Sequence, residues 1–208
     1  MAEHRSPKPG VAGSTPVSPA NAGSTVSRLK ILLTGEPGSG KTTVVRDVVE
    51  RLAGRVPMTG FITEEIREGG HRVGFRGVTL DGRVFPLAHL RTGGPLRVGP
   101  YGVDVAGLES IGLDALTPEA PGTWVVIDEI GKMECLSAAF KTRVRQLLDG
   151  DTPVIATVAA VGVGFVKKVR HTAGARLFTM TRRESEGMSA EIVRTISRAT
   201  RSEGGRPR

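Results

Sequence analysis

The sequence predicts an α/β protein: a mostly parallel central sheet flanked by helices, with an inserted antiparallel hairpin region. Three stretches carry that reading. Leu29 to Val45, LKILLTGEPGSGKTTVV, reads as a buried strand, a glycine turn and a helix start. Ile31, Leu32 and Leu33 supply the apolar run, and Val44, Val45, Val48, Val49 and Leu52 follow at helical spacing. Thr123 to Ile127 is a second continuous apolar strand, of the kind found at the centre of a parallel sheet with both faces covered. Between the two, short runs separated by Gly69-Gly70 and Asp81-Gly82 mark antiparallel pairs.

In chain order, Met1 to Ser27 is rich in Ala, Gly, Ser and Pro without a hydrophobic period, and is expected to be a disordered extension. Residues 28–200 form the domain, and 201–208 a second loose tail. The first strand is expected over Leu29–Thr34 and the first helix over Lys41–Ala53. Met58–Ile66, bounded by Pro57, is the next strand. His71–Thr79 alternates polar and apolar, and Arg83–Leu87 pairs back on it across Asp81-Gly82. A short strand is expected around Tyr101–Val103, then a helix over Val105–Leu116 that Gly107 and Gly112 weaken. Pro118, Pro121 and Gly122 break the chain. Ser137 N-caps a helix to Leu148 with Phe140, Val144, Leu147 and Leu148 at helical spacing. Pro153–Val158 is a buried strand, Val163–His171 a helix, and Arg176–Met180 the last strand. Glu184–Thr200 closes as a helix with Met188, Ile192, Val193 and Ile196 on one face.

Composition narrows the classes. A chain of 208 residues suits one α/β domain with a real core. The single cysteine, Cys135, excludes a disulfide framework and a cysteine metal cluster, and is expected to pack as a small apolar residue. No apolar run reaches membrane-helix length, and the N-terminus lacks a signal-peptide core, so no membrane partner is expected and the cytoplasm is the default. The formal charge of +8 permits a nucleic-acid partner, but much of it sits in the two ends and not in a central stripe. One Trp and one Tyr leave few stacking surfaces for single strands. A monomer is the default assembly.

The chemistry begins in the glycine turn. Gly35, Gly40, Lys41 and Thr42 fit G-x-x-x-x-G-K-[ST]. Gly38 and Gly40 let backbone N–H groups from Pro37 to Thr43 turn inward on a phosphate chain, and the following helix adds its positive end. Lys41 reaches the β- and γ-phosphates, and the Thr42 hydroxyl helps hold Mg²⁺. The strand Trp124–Ile127 ends in Asp128-Glu129, the natural companion of such a loop, since parallel strands bring their C-terminal ends to one crevice. Asp128 is expected to hold Mg²⁺ through water, and Glu129 to polarise an attacking water as general base. Thr157, near the tip of the next strand, is either a γ-phosphate contact or an ordinary hydroxyl bonded to backbone. Arg67, Arg72, Arg76, Arg170 and Arg176 are candidates to offset transition-state charge. His4, His71, His89 and His171 lack metal-ligand spacing.

GEPGSGKTT (Gly35–Thr43), TGFITEEIREGGHRVGF (Thr59–Phe75) and VVIDEIGKMECLSAAF (Val125–Phe140) together resemble a small nucleoside-triphosphatase family with thermophile and human cancer-related members. The resemblance covers Lys30 to Ile196, and its second and third motifs are more specific than a phosphate loop alone. It implies a RecA-like P-loop NTPase with a catalytic glutamate, hydrolysing ATP, GTP and other nucleoside triphosphates to diphosphate and phosphate with Mg²⁺. By position, Gly35, Glu36, Pro37, Gly38, Ser39, Gly40, Lys41 and Thr42 bind the phosphates. Val125, Val126, Ile127, Asp128, Glu129, Ile130, Gly131 and Lys132 form the second nucleotide-binding segment. One departure stands out: the family often places an Asn-Arg pair shortly after a Thr that ends the last strand, whereas Thr181 here is followed by Arg182-Arg183-Glu184-Ser185. Arg182 and Arg183 are the candidates to take that place.

Two rival classes fit parts of the sequence. A P-loop kinase would use the Thr59–Leu87 hairpins as an acceptor pocket, but Glu129 favours water as acceptor. A nucleotide-dependent nucleic-acid switch draws only on the net charge.

Overall fold

The computed structural model describes residues 28–181 and 185–204; the N-terminal extension, Arg182 to Glu184 and the last four positions lie outside the described residues. Strands β1 (Lys30–Gly35), β2 (Met58–Glu68), β3 (His71–Thr79), β4 (Val84–His89), β5 (Arg97–Val98), β6 (Tyr101–Val103), β7 (Trp124–Ile130), β8 (Val154–Ala159) and β9 (Arg176–Met180) form one sheet. Its order is β5-β6-β4-β3-β2-β7-β8-β1-β9. Helices α1 (Lys41–Leu52), α4 (Ala138–Asp149), α5 (Phe165–Arg170) and α6 (Ser185–Gly204) pack on it, with short helical turns α2 (Val105–Gly107) and α3 (Leu113–Ala115) between β6 and β7.

The expectation of a mostly parallel sheet is corrected here: the sheet is mixed. Pairs β2–β7, β7–β8, β8–β1 and β1–β9 are parallel, while β2–β3, β3–β4, β4–β6 and β6–β5 are antiparallel. The reason lies in the connections. Gly69-Gly70 and Asp81-Gly82 are too short to cross over, so each forces the chain straight back. The hairpins also do not stand apart from the sheet. Because β2 pairs in parallel with β7, they continue it sideways.

The apolar runs are continuous because both faces of the parallel half are covered. Leu32, Val125 and Ile127 face one core with Phe61, Phe85, Phe140 and Val144. Ile31, Leu33, Trp124 and Val126 face the other, with Val44, Val45 and Val48 of α1 and Ile192 and Ile196 of α6. On the first face Phe61 meets Phe85 edge-on at 5.3 Å between ring centres. The half-buried Cys135 packs against this core, and burial pushes its thiol up to about 12.

Three boundaries differ from the sequence expectation. Instead of one helix over Val105–Leu116, a π-helical turn at Leu108–Gly112 separates α2 from α3. Its glycines allow close approach: a Cβ at Gly107 would lie 2.6 Å from the Pro86 carbonyl oxygen, and one at Gly112 would lie 3.0 Å from the Phe85 ring. The helix expected over Val163–His171 narrows to α5, since Gly164 turns the chain into it at φ 58. The last helix runs to Gly204, into the stretch expected to be a tail. Among the described residues no helix is long and apolar enough to cross a membrane.

The seam between the two halves of the sheet depends on Gly60. Its φ is 124, and an added Cβ would lie 1.9 Å from the Val126 carbonyl oxygen on β7. Gly60→Ala is expected to destabilise the protein by roughly 2 kcal/mol or more, combining backbone strain with overpacking. A chemical-denaturation midpoint equal to that of the parent would show that β2 has room to move from β7.

Candidate active site

The crevice lies at the C-terminal ends of β1, β8 and β7, where parallel strands deliver their following loops to one place. Gly35 ends β1. A Cβ there would meet the Met180 carbonyl oxygen at 2.6 Å and Ser39 Oγ at 2.7 Å, so the turn closes tightly on glycine. Gly38 and Gly40 hold φ of 75 and 92, which L side chains rarely adopt. No side chain caps α1 at Gly40, so the first-turn N–H groups are left for a ligand.

Lys41 lies across this turn. Its Nζ donates to the Gly35 carbonyl at 3.0 Å and the Glu36 carbonyl at 3.4 Å, and stands 3.8 Å from Glu129 Oε1. The glycine turn and the acidic end of β7 therefore meet at this ammonium. Asp128 is 1% exposed. Thr157 Oγ1 donates to its Oδ1 at 2.5 Å, and the Thr63 hydroxyl donates to its backbone carbonyl. Asp128 Oδ2 is buried and makes no hydrogen bond among the described residues. Burial pushes the Asp128 carboxyl up, while the Thr157 and Thr42 hydroxyls and the Lys41 charge favour its ionised form. A buried, unsatisfied carboxylate oxygen near a hydroxyl is a hard-oxygen donor pair. It suits Mg²⁺, which takes one or two protein oxygens and keeps most of its waters.

These residues line one cavity of about 880 Å³. It includes Gly35, Glu36, Pro37, Gly38, Gly40, Lys41 and Thr42 from the first segment, and Asp128, Glu129, Gly131 and Lys132 from the second. The other candidates support the wall from behind. Ser39 is buried beneath the turn, and Val125, Val126, Ile127 and Ile130 are fully buried core residues. Thr157 is likewise fully buried, and its hydroxyl serves Asp128.

Of the candidate arginines, Arg72 reaches the cavity. It is held by Glu65 at 2.7 Å and Tyr101 at 3.3 Å. Arg67 pairs with Glu65, and Arg76 with Glu64. Arg170 turns to the Ala159 and Gly162 carbonyls. Arg176 pairs in register with Ile31, at the end of the sheet opposite the crevice. Arg182 and Arg183 lie outside the described residues.

Several cavity residues escape sequence reasoning. Thr63 arrives from β2 through a strand register that no local pattern encodes, and Arg46 arrives from α1, its guanidinium held by Glu64 of β2. Glu134 is the most informative. It is 4% exposed, lines the cavity, and accepts the Gly131 N–H at 3.1 Å. The short spacing of an acid three positions after Gly131 was its only signal. Burial comes first among the causes that push its carboxyl from an ordinary 4.5 up to about 8, with the charges of Glu129 and Asp128 adding to it. Burial likewise pushes Glu129 up, opposed by Lys41 and assisted by Asp128.

Glu134 links stability to pH. Its folded-state carboxyl binds a proton more tightly than the unfolded chain does, so its contribution is complete below about 4.5 and is lost as pH rises through about 8. Glu134→Gln keeps an acceptor for Gly131 N–H and cannot ionise. Without Mg²⁺ or nucleotide, the stability of the parent relative to Glu134→Gln is expected to fall across that window in denaturant titrations. A constant difference would mean that Glu134 titrates as an ordinary carboxylate.

The NTPase family model matches residues 30–193. Nucleoside-triphosphatase THEP1 of Thermotoga petrophila is 39% identical over 166 residues, covering 79% of this chain and 91% of the relative. The human cancer-related nucleoside-triphosphatase is 37% identical over 181 residues, covering 80% and 95%. The crystal structure of THEP1 from Aquifex aeolicus superposes with a TM-score of 0.73 at 36% identity, covering 80% of this chain and 98% of that one. A match across nearly all the described domain, on a chain whose glycine turn and acidic strand end converge on Lys41, places this protein in the NTPase family.

Proposed function

We propose that this protein hydrolyses nucleoside triphosphates, ATP and GTP among them, to the diphosphate and inorganic phosphate with Mg²⁺. The observation that carries the reading is Glu129. Its carboxylate stands at the cavity wall 3.8 Å from the phosphate-loop lysine and next to the buried Asp128. The relatives' names point the same way, since they are nucleoside-triphosphatases.

The chain's own groups divide the work. The N–H groups of the glycine turn and the first turn of α1 take the phosphate oxygens. Lys41 exchanges carbonyl partners for phosphate oxygens and offsets the negative charge on the terminal group. Thr42 and Asp128 are the residues that would hold Mg²⁺, which when bound would offset negative charge on the phosphates. Thr157 and Thr63 fix Asp128 from two sides and so aim it. Glu129 takes a proton from water as its oxygen bonds to the γ-phosphorus and the bond to the bridging oxygen breaks. The electron pair leaves with the diphosphate.

The test is phosphate release from ATP, GTP, CTP and UTP with Mg²⁺ and no added acceptor. Glu129→Gln is expected to bind nucleotide and lose turnover by roughly 10²–10⁴-fold. Lys41→Ala is expected to lose most triphosphate binding as well as turnover. Turnover of Glu129→Gln at the parent rate removes the general base from this account. Nucleotide consumed only when a hydroxyl acceptor is supplied would mark a kinase.

A further inference from the structure

The chemistry assigned to Glu129 depends on where its carboxylate stands. A misplacement of about 1 Å between reacting groups costs on the order of 10²-fold in rate. Yet the sheet ladder does not hold this residue. The pairing of β2 with β7 ends at Asp128, and the pairing of β8 with β7 skips from Ile127 to Ile130, so Glu129 has no register partner on either neighbouring strand. Thr157 and Thr63 fix Asp128 on one side of it. The turn that follows fixes the other.

Gly131 is tied at both of its backbone groups. Its N–H donates to Glu134 Oε2 at 3.1 Å, and its carbonyl accepts the Cys135 N–H at 3.2 Å. Glu134 opens the helical turn Glu134–Leu136, and its own carbonyl accepts the Ser137 N–H at 3.1 Å. Ser137 in turn caps α4, its hydroxyl accepting the Phe140 N–H at 2.9 Å. The grip on Gly131 is therefore anchored in the first core. The two acids flank that glycine: a Cβ there would lie 3.0 Å from Glu134 Oε2 and 3.6 Å from Glu129 Oε2. We propose that Glu134 is the positioning residue for Glu129. By holding the Gly131 N–H it sets the course of residues 129–131, and with it the reach of the Glu129 carboxylate toward the water at the γ-phosphate. This rests on the hydrolase reading above.

Two rival roles fit a buried acid at the cavity wall. As a wall residue Glu134 would shape the space for nucleotide, and as a second base it would take a proton from water itself. Glutamine separates the second role from positioning. Burial pushes the Glu134 carboxyl up to about 8, so near neutral pH Gly131 meets its uncharged form, which glutamine copies in length and in its acceptor oxygen.

The experiment measures phosphate release from ATP with Mg²⁺ by the full chain at neutral pH. Glu134→Met nearly keeps the volume and removes the acceptor. It is expected to lower kcat by roughly 10–10²-fold with KM within about twofold of the parent. Glu134→Asp draws the acceptor back by one methylene and is expected to share that loss, so the comparison stands even where Glu134→Met does not fold. Glu134→Gln is expected to retain most of kcat. Added to Glu129→Gln, Glu134→Met is expected to cost nothing further, since its effect runs through Glu129. Parent kcat in Glu134→Met or Glu134→Asp overturns the proposal. So does an equal loss in Glu134→Gln, which would make Glu134 a base, or a rise in KM with kcat kept, which would make it a wall. A full further loss on top of Glu129→Gln overturns it as well. No phosphate release by the parent sinks the hydrolase reading, and the proposal with it, before any substitution is made.

Discussion

The crevice is registered on one buried carboxylate. Asp128 receives a hydroxyl from β8 on its side chain and another from β2 on its carbonyl, and α1 brings Thr42 within its influence. Taking such a group out of water is costly unless its acceptors are filled, and here one oxygen is left unfilled. The fold tolerates that cost because three strands of a tightly packed sheet fix the position from both sides. A loop would relax around an unsatisfied carboxylate; a central strand cannot. On the proposed function, stability given up at this point is what a site for a cation and a polyanion requires.

The charge distribution follows a gradient from the inside outward. Asp128, Glu129 and Glu134 are buried or half-buried, and desolvation pushes all three up. At the rim the acids have cationic partners: Arg76 and then Arg46 hold Glu64 below its usual range, and Arg72 and Arg67 do so for Glu65. These rim pairs are substantially exposed, so each is worth little to stability. Their effect is to keep arginines beside the cavity while cancelling much of the acidity that would repel a triphosphate.

The site was legible where chemistry is local and hidden where it depends on register. Gly35 to Thr42 declares itself because one short turn must satisfy phosphate geometry within eight consecutive residues. Asp128-Glu129 is legible from its place at the end of an apolar strand. Thr63 is not, and Thr157 is legible as a polar strand tip but not as the partner of Asp128, because what makes them matter is the pairing of Ile62 with Asp128 and of Ile127 with Ala156. The candidate arginines could not be told apart for the same reason: Arg72 and Arg170 look alike in sequence, and only the fold sends one to the cavity and the other to a loop. Strand positions followed closely from periodicity and turn residues. The junction of the hairpins with the parallel half did not, since the contact of β2 with β7 depends on a glycine whose missing side chain is an absence, not a pattern.

Because β8 lies between β1 and β7, the glycine turn and the acidic strand end share no neighbour without it. Lys30 must find Val154, on the far side of every hairpin in the sheet. The meander from β2 to β6 can assemble from nearby segments, but the crevice requires closure of a loop that spans the whole meander and β7. During synthesis, a chain ending short of Ala159 would carry both halves of the phosphate machinery with nothing to hold them together. Competence to grip nucleotide thus depends on β8, the one strand among the described residues that pairs with both β1 and β7.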